Sequence, residues 1–462
     1  MDIVFQRLWQ VPFGFFSLKL DALSLVFLLS AAILAICAGV YAVGYIRVYA
    51  GKKQLVLHVF FYLMLLAALF FVITANNVIL FLAAWEGMTI STFFLIIFHE
   101  EKESVRKAAF VYLIASHCAT FLLFLMFFLM ARVTGSMQFD LMAQAGFSPL
   151  TAGIVFLLAL AGFGVKAGFL PLHIWLPLAH PAAPSHVSAL MSGVTIKMGI
   201  YGICRILWII GVLPPWCGFL LLTIGVVSGI MGVLYALGQH ELKKLLAYHS
   251  IENIGIIALG MGLGLLGRSY NLPFLCVCGF GGALLHVVNH SIFKGLLFLG
   301  AGAVIQRMHT GELDKLGGVS RVLPLVSALF MIGALSICGL PLFNGFISEF
   351  IIFSGLFQGL LSLSLYGMIM CVLGLLSLAL MGALALACFC KVYGTVFSGQ
   401  PRREDYNRVQ AELRDDPTSL WMLAPMILLA GLCIWIGLVP QCMAGFTLTG
   451  GAFLARLDLA TV

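Results

Sequence analysis

Between residues 22 and 440 the chain is a succession of long apolar runs separated by short polar loops, and that repetition leaves few folds open. A hydrocarbon core about 30 Å thick takes roughly 20 apolar residues of helix per crossing. Windows of that length locate about twelve spans, at 22–46, 55–74, 77–98, 108–131, 150–176, 185–209, 218–238, 245–266, 274–305, 323–358, 364–397 and 420–440. In hydrocarbon every backbone polar group must find its partner inside the protein, so helices are expected throughout. With 62% hydrophobic and 9% charged residues the composition excludes an ordinary soluble domain. The expected fold is an all-α polytopic membrane protein, a single transmembrane domain over residues 1–462.

The net charge of +7 could suggest an acidic partner such as nucleic acid, but membrane orientation explains it better, and no nucleic acid is expected. With these spans, one side receives fifteen basic residues: Arg47, Lys52, Lys53, Lys102, Arg106, Lys107, Lys243, Lys244, Arg307, Lys315, Arg321, Arg402, Arg403, Arg408 and Arg414. The other receives five: Arg7, Lys19, Arg132, Arg268 and Arg456. The rich side is read as the cytoplasm, in an inner (cytoplasmic) cell membrane, with both termini outside. Residues 1–20 lack a basic segment followed by a small-residue cleavage site, so no cleaved signal peptide is expected.

Two of the spans contain a helix breaker. Gly168-Phe169-Leu170-Pro171-Leu172 and Cys338-Gly339-Leu340-Pro341-Leu342 each place Leu-Pro-Leu inside a long apolar run. Proline removes a donor and frees a carbonyl, which survives at bilayer depth only where protein or a wet cavity satisfies it. Ordinary proline bends are the competing reading, but Lys166 stands just before the first break and Glu349 just after the second. The breaks are five spans apart, and five is odd, so two such units would insert with opposite orientation. The expected organisation is a first helix (1–54), two inverted five-helix repeats (55–210 and 218–397), and a loop with a C-terminal helix (398–462).

Ionisable side chains inside apolar runs cost several kcal/mol and mark ion or proton paths. Six stand alone: Glu86, Lys166, Lys197, Lys294, Glu349 and Lys391. Glu86 would be protonated without a cationic partner, and Lys166 is the candidate; the alternative is a static pair serving packing. Lys197 sits near mid-span, where desolvation lets a lysine gain and lose a proton. Lys391, near a span end, is as readily explained by snorkelling. His286, His290 and Lys294 repeat at i, i+4 and i+8, a face covering about 12 Å. A proton relay, ordinary hydrogen-bonded helix contacts and a metal site are the three readings, and the last lacks an acidic ligand nearby. Glu252 is either part of a cytoplasmic mouth with Lys243 or an ion pair with Lys243 or Lys244. His173, His180 and His186 surround a proline-rich bend, where they could carry protons or satisfy freed carbonyls.

No cofactor or metal is expected of this chain. Its twelve cysteines include no CxxC pair, and those two apart on helices point to different faces. Gly262, Gly264 and Gly267 fit G-x-G-x-x-G, but no strand precedes them, so a nucleotide site is not expected.

Phe163-Gly164-Val165-Lys166-Ala167-Gly168, Pro171-Leu172-His173-Ile174-Trp175-Leu176-Pro177, Ala179-His180-Pro181 and Ser188-Ala189-Leu190-Met191 resemble the antiporter-like membrane subunits of respiratory complex I, Mrp-type sodium/proton antiporters and energy-converting hydrogenases. Tyr248-His249-Ser250-Ile251-Glu252-Asn253 and Asn289-His290-Ser291-Ile292-Phe293-Lys294 look most like the large membrane subunit of the hydrogenase-4 and formate hydrogenlyase branch, component B. The resemblance implies a coupling pair Glu86–Lys166, Lys197 as next carrier, His286, His290 and Lys294 as central relay and Glu349 as terminal residue. It also implies partners, namely other membrane subunits and a hydrophilic redox arm, with protons, or Na+, as the ion moved. Two other functions compete: a subunit of a multisubunit Na+/H+ antiporter, and a non-pumping anchor for a redox arm. Members of that family are typically longer, with two further helices before the first span found here and often more after the last.

Overall fold

The computed structural model describes residues 3–8, 15–402 and 419–457; Arg403, Arg408 and Arg414 of the charge count lie outside them. After a hairpin of β1 (Ile3–Leu8) and β2 (Phe15–Leu20) come α1 (Ala22–Tyr45), α2 (Leu55–Thr74), α3 (Val78–Ile96), α4 (Glu103–Thr134), the short α5 (Phe139–Ala145) and α6 (Pro149–Ala167). Then follow α7 (Leu176–Ala182), α8 (Ser185–Leu190), α9 (Ile196–Ile210), α10 (Pro215–Leu237), α11 (Leu242–Ser269) and α12 (Pro273–Met308). The described remainder is α13 (Pro324–Ile337), α14 (Asn344–Ser362), α15 (Leu365–Val392), α16 (Leu420–Leu438) and α17 (Gln441–Ala455). Among the described residues, twelve helical stretches are long and apolar enough to cross a membrane.

The helices start where the sequence provides caps: Asp21 accepts from Ser24 N–H, Asn77 from Ile79, Ser148 from Thr151 ahead of Pro149, and Glu241 from Lys243 and Lys244. α11 and α12 are buried along nearly their whole length and form the centre; a helix apolar on all sides needs such a position. The G-x-G-x-x-G motif is part of this packing. A Cβ on Gly262 would strike the backbone of Leu222 and Gly218 on α10, and one on Gly264 the ring of Phe280 on α12. The glycines let helices on two sides approach α11 closely.

Two expectations are corrected. The fifth span ends at Ala167 rather than 176, because Gly168 takes a left-handed conformation (φ 84°) ahead of Pro171. The tenth is not one span but α13 and α14, separated at residues 338–343 around Pro341. Two further elements escape an apolar-window reading. The hairpin, paired from Ile3↔Leu20 to Leu8↔Phe15, is short and interrupted by Gln6, Arg7, Ser17 and Lys19. α17 is rich in glycine and threonine, and it packs its small face, including Gly450 and Gly451, against α1 and α12.

Candidate functional site

At the first break α6 ends and α7 begins, and the freed backbone groups go to neighbouring helices. Trp175 Nε1 donates to the Val165 carbonyl (2.7 Å), and Ser228 Oγ accepts from Leu170 N–H (3.0 Å). Lys243 donates to the carbonyls of Pro181 (3.2 Å) and Ala183, closing the end of α7. At the second break, Asn289 on α12 donates to the Asn344 carbonyl (2.7 Å) and to Ser348 Oγ (3.0 Å). Breaks at bilayer depth are thus satisfied by protein.

Lys166, in the last turn of α6, is 2% exposed; its ammonium donates to Tyr112 Oη at 2.6 Å and lies 4.7 Å from that ring's centre. Glu86 instead faces His117 Nε2 at 3.4 Å, and its Oε1 is buried without a hydrogen-bond partner. The expected direct Glu86–Lys166 pair is therefore not formed; no carboxylate among the described residues lies within 4.0 Å of Lys166. The reason is helical geometry. Trp85 takes the inward position, 1% exposed and 6.0 Å from the Lys166 ammonium, and the next residue is turned about 100° away, towards α4. Tyr112 and His117, both on α4, stand between the two.

α6 and α9 touch closely beside Lys166. A Cβ on Gly199 would press on the Phe163 carbonyl and on the N–H of Ala167, the residue next to Lys166. Ahead of Lys197 the helix widens into a π-type turn, Met191–Thr195. Its loosened carbonyls are taken by side chains: Lys197 Nζ donates to Ser192 (2.5 Å) and Ser291 Oγ to Gly193 (2.5 Å). π-type turns inside α-helices recur at functional sites. Ser192 Oγ is 2.8 Å from Ser250 Oγ, and Ser250 and Lys294 share the Leu246 carbonyl, at 3.1 and 2.6 Å. Two serines therefore stand between the two buried lysines, whose charges interact.

Beyond Lys294 the line divides. His290 is fully buried with neither ring nitrogen hydrogen-bonded, and it interacts electrostatically with both lysines. His286 bridges Ser348 Oγ (2.9 Å) on α14 and Asn253 Oδ1 (3.1 Å) on α11. On α11, Glu252 is paired with His249 Nδ1, which corrects the expected pairing with Lys243 or Lys244. Those lysines are about 12 Å or more away along the same helix, while His249 is one turn back. Glu252 interacts electrostatically with Lys294 and with Glu349. Glu349, on α14, lies against Gly339 in the second break, where φ is 62° and a Cβ would collide with its carboxylate. Lys391 donates to the carbonyls of Leu237 (2.7 Å) and Gln239 (3.0 Å), so it closes the end of α10, as a cation at a helix C-terminus does.

Residues to which the sequence assigned no role of their own are Tyr112 and His117, the serines at 192 and 250, and His58, whose Nε2 is 2.9 Å from that of His186. The partner of each sits on another helix. His180 does not satisfy freed carbonyls: it stacks between Trp175 and Phe298, both ring nitrogens unpartnered.

Residues 75–377 match the family model described as NADH:quinone oxidoreductase/Mrp antiporter, TM. The chain belongs to this family. It is 40% identical over 442 residues to hydrogenase-4 component B of Escherichia coli (strain K12), covering 94% of this chain and 64% of the relative. The chain thus spans somewhat less than two thirds of that relative's length. Its fold matches a chain of the Mrp complex from Dietzia sp. DQ12-45-1b, with TM-score 0.81, 21% identity, and 98% and 87% of the two chains covered. It also matches a chain of the membrane-bound sulfane sulfur reductase, an archaeal respiratory membrane complex, with TM-score 0.81, 26% identity, and 96% and 69% covered. Membership of this antiporter-like family accounts for a multi-pass helical fold with two broken helices.

Proposed function

We propose that this chain is the proton-translocating membrane subunit of a redox-driven complex of hydrogenase-4, formate-hydrogenlyase or NADH-dehydrogenase-like type, seated in the cytoplasmic membrane beside other membrane subunits and a hydrophilic redox arm. The observation that carries the reading is the buried line Lys197, Ser192, Ser250, Lys294, with His290 beside it and Glu252 and Glu349 beyond. The orphaned nitrogens of His290 and His249 are buried polar atoms that need partners, and a chain of water through them completes a proton wire. Lys243 lines an open cavity of about 660 Å³ at the basic end of the bundle, with Lys102, Lys107 and Glu241, which suits proton uptake.

Lys166 and Glu86 act at the head of this line. A charge change arriving from a neighbouring subunit alters how Lys166 shares its proton between Tyr112 and the path, and thereby the affinity of Lys197. A charge that arrives within about 4–6 Å of a lysine shifts it by about one to three pKa units, roughly 1.4 to 4 kcal/mol. Moving a proton against 100 mV takes about 2.3 kcal/mol. The device is of sufficient size.

The test is the intact complex in sealed vesicles with Lys166→Ala. Redox turnover with an artificial acceptor is expected to persist while coupled proton uptake falls about tenfold or more, following the loss of a buried charge. Unchanged uptake overturns the scheme. Sodium-dependent proton flux without any redox partner would instead identify an Na+/H+ antiporter subunit, and tolerance of neutral residues at Glu86, Lys166 and Lys197 a non-pumping anchor.

A further inference from the structure

Away from this line, at the end of the bundle where α9, α11 and α17 finish and α12 begins, two arginines converge with no acid between them among the described residues. Arg268 Nη1 donates to the Leu207 carbonyl (3.1 Å) and, more loosely, to Leu454 (3.4 Å). Arg456 Nη2 donates to the Trp208 carbonyl (2.7 Å), with Ile209 and Ala143 each at 3.4 Å, and its guanidinium covers the Trp208 ring at 5.5 Å. One arm of each arginine thus closes the carbonyl end of α9.

The other arms point to a common place. Arg268 Nη2 and Arg456 Nη1 are each 3.9 Å from where a Cβ on Gly211 would stand, and φ of 86° at that residue favours glycine. A cavity of about 260 Å³ opens there, lined also by Asn271, Leu272 and Pro273. Leu272 provides no side-chain cap to α12, so the positive end of a 36-residue helix opens onto the same space. Among the described residues no carboxylate lies within 4.0 Å of either guanidinium. Two guanidinium forks and a helix N-terminus make a site for an oxyanion with several acceptor oxygens.

The surroundings identify its source. Val212, Trp216, Tyr270 and Phe274, on the flanking loops and helix starts, are 68%, 44%, 41% and 53% exposed. Aromatic side chains of this kind gather at headgroup level, and two guanidinium groups at that level complement an anionic phosphate. We infer that the Arg268–Arg456 cavity binds the phosphate of an anionic phospholipid, whose acyl chains lie along the apolar side chains beside it.

The test is native mass spectrometry of the complex, delipidated in mild detergent and titrated with phosphatidylglycerol, phosphatidylcholine or inorganic phosphate. The wild type is expected to retain phosphatidylglycerol over phosphatidylcholine, and Arg268→Gln/Arg456→Gln to reduce retention about tenfold, the effect of one strong charge-assisted contact. That double variant also uncaps α9, so Val212→Glu, which adds a negative charge at the rim on a residue of the loop after α9, is expected to lower retention as well. Retention unchanged in both variants overturns the proposal. Displacement of the lipid by inorganic phosphate overturns the lipid assignment in favour of a free anion.

Discussion

His286 and His290 sit one turn apart on α12, and they differ in what their ring nitrogens touch: His286 has two partners and His290 none. Replacing His286 by Phe leaves Asn253 and Ser348 short of a partner in a buried place, which costs about 1–3 kcal/mol. His290→Phe removes no hydrogen bond between protein groups and exchanges one flat ring for a slightly larger one. The expected outcome is a lower melting temperature for His286→Phe, and for His290→Phe an unchanged melt with lost proton uptake in vesicles. Asp21 shows the opposite case, a charge used for structure. Burial raises its pKa, but the charge and hydrogen bonds of Arg205, at 2.6 and 3.1 Å, and those from Ser24 more than reverse this, leaving it below its ordinary value of 3.8. A lowered folded-state pKa stabilises above 3.8 and loses that contribution only as pH falls further. Arg205→Leu is therefore expected to cost about 3–5 kcal/mol at pH 8 and less as the pH falls, because without Arg205 burial favours the neutral carboxyl of Asp21, as thermal unfolding would show. The isolated charges were legible because a charge in an apolar run is conspicuous. Their contacts were not: Trp85 displacing Glu86 from Lys166 depends on which of two consecutive residues turns inward.

At the scale of elements, Leu-Pro-Leu marked both helix breaks, since proline's missing donor is a local property. What satisfies each break was hidden, because Ser228, Lys243 and Asn289 come from distant parts of the chain. The inverted-repeat expectation rests on these paired breaks and on an odd number of spans between them. Gly199 is an element contact that bears on the proposed path, since it brings α9 against α6 beside Lys166. Gly199→Leu forces the helices apart at a cost of about 1–3 kcal/mol. Coupled proton uptake is expected to fall while the complex still assembles, as size-exclusion chromatography with vesicle assays would reveal.

Across the whole molecule, the loops at 46–54, 97–102, 239–244 and 309–323 meet at one end, linked by Lys53–Glu101 (2.5 Å) and His240–Asp314 (3.0 Å). The Lys53 ammonium hydrogen-bonds Glu101 and holds its carboxyl down at about 2. This end carries most of the loop lysines and arginines, so it is expected to face the cytoplasm. In a cysteine-free background, Lys52→Cys should react with an impermeant maleimide only in inside-out vesicles and Asn271→Cys only in right-side-out ones. The reverse pattern refutes the assignment. Counting charges sufficed for this expectation because orientation depends on sums, whereas the hairpin and α17 depend on local patterns too weak to stand out.

The widened turn before Lys197 has a geometric corollary. It accommodates one residue more than the coil on either side of it, and shedding that surplus would rotate everything downstream by about 100°. Such a twist would carry the Lys197 ammonium off the Ser192 carbonyl and away from the serine pair. The backbone here is thus geared to the side chain it supports: a change of winding by a single residue would interrupt the proposed proton line.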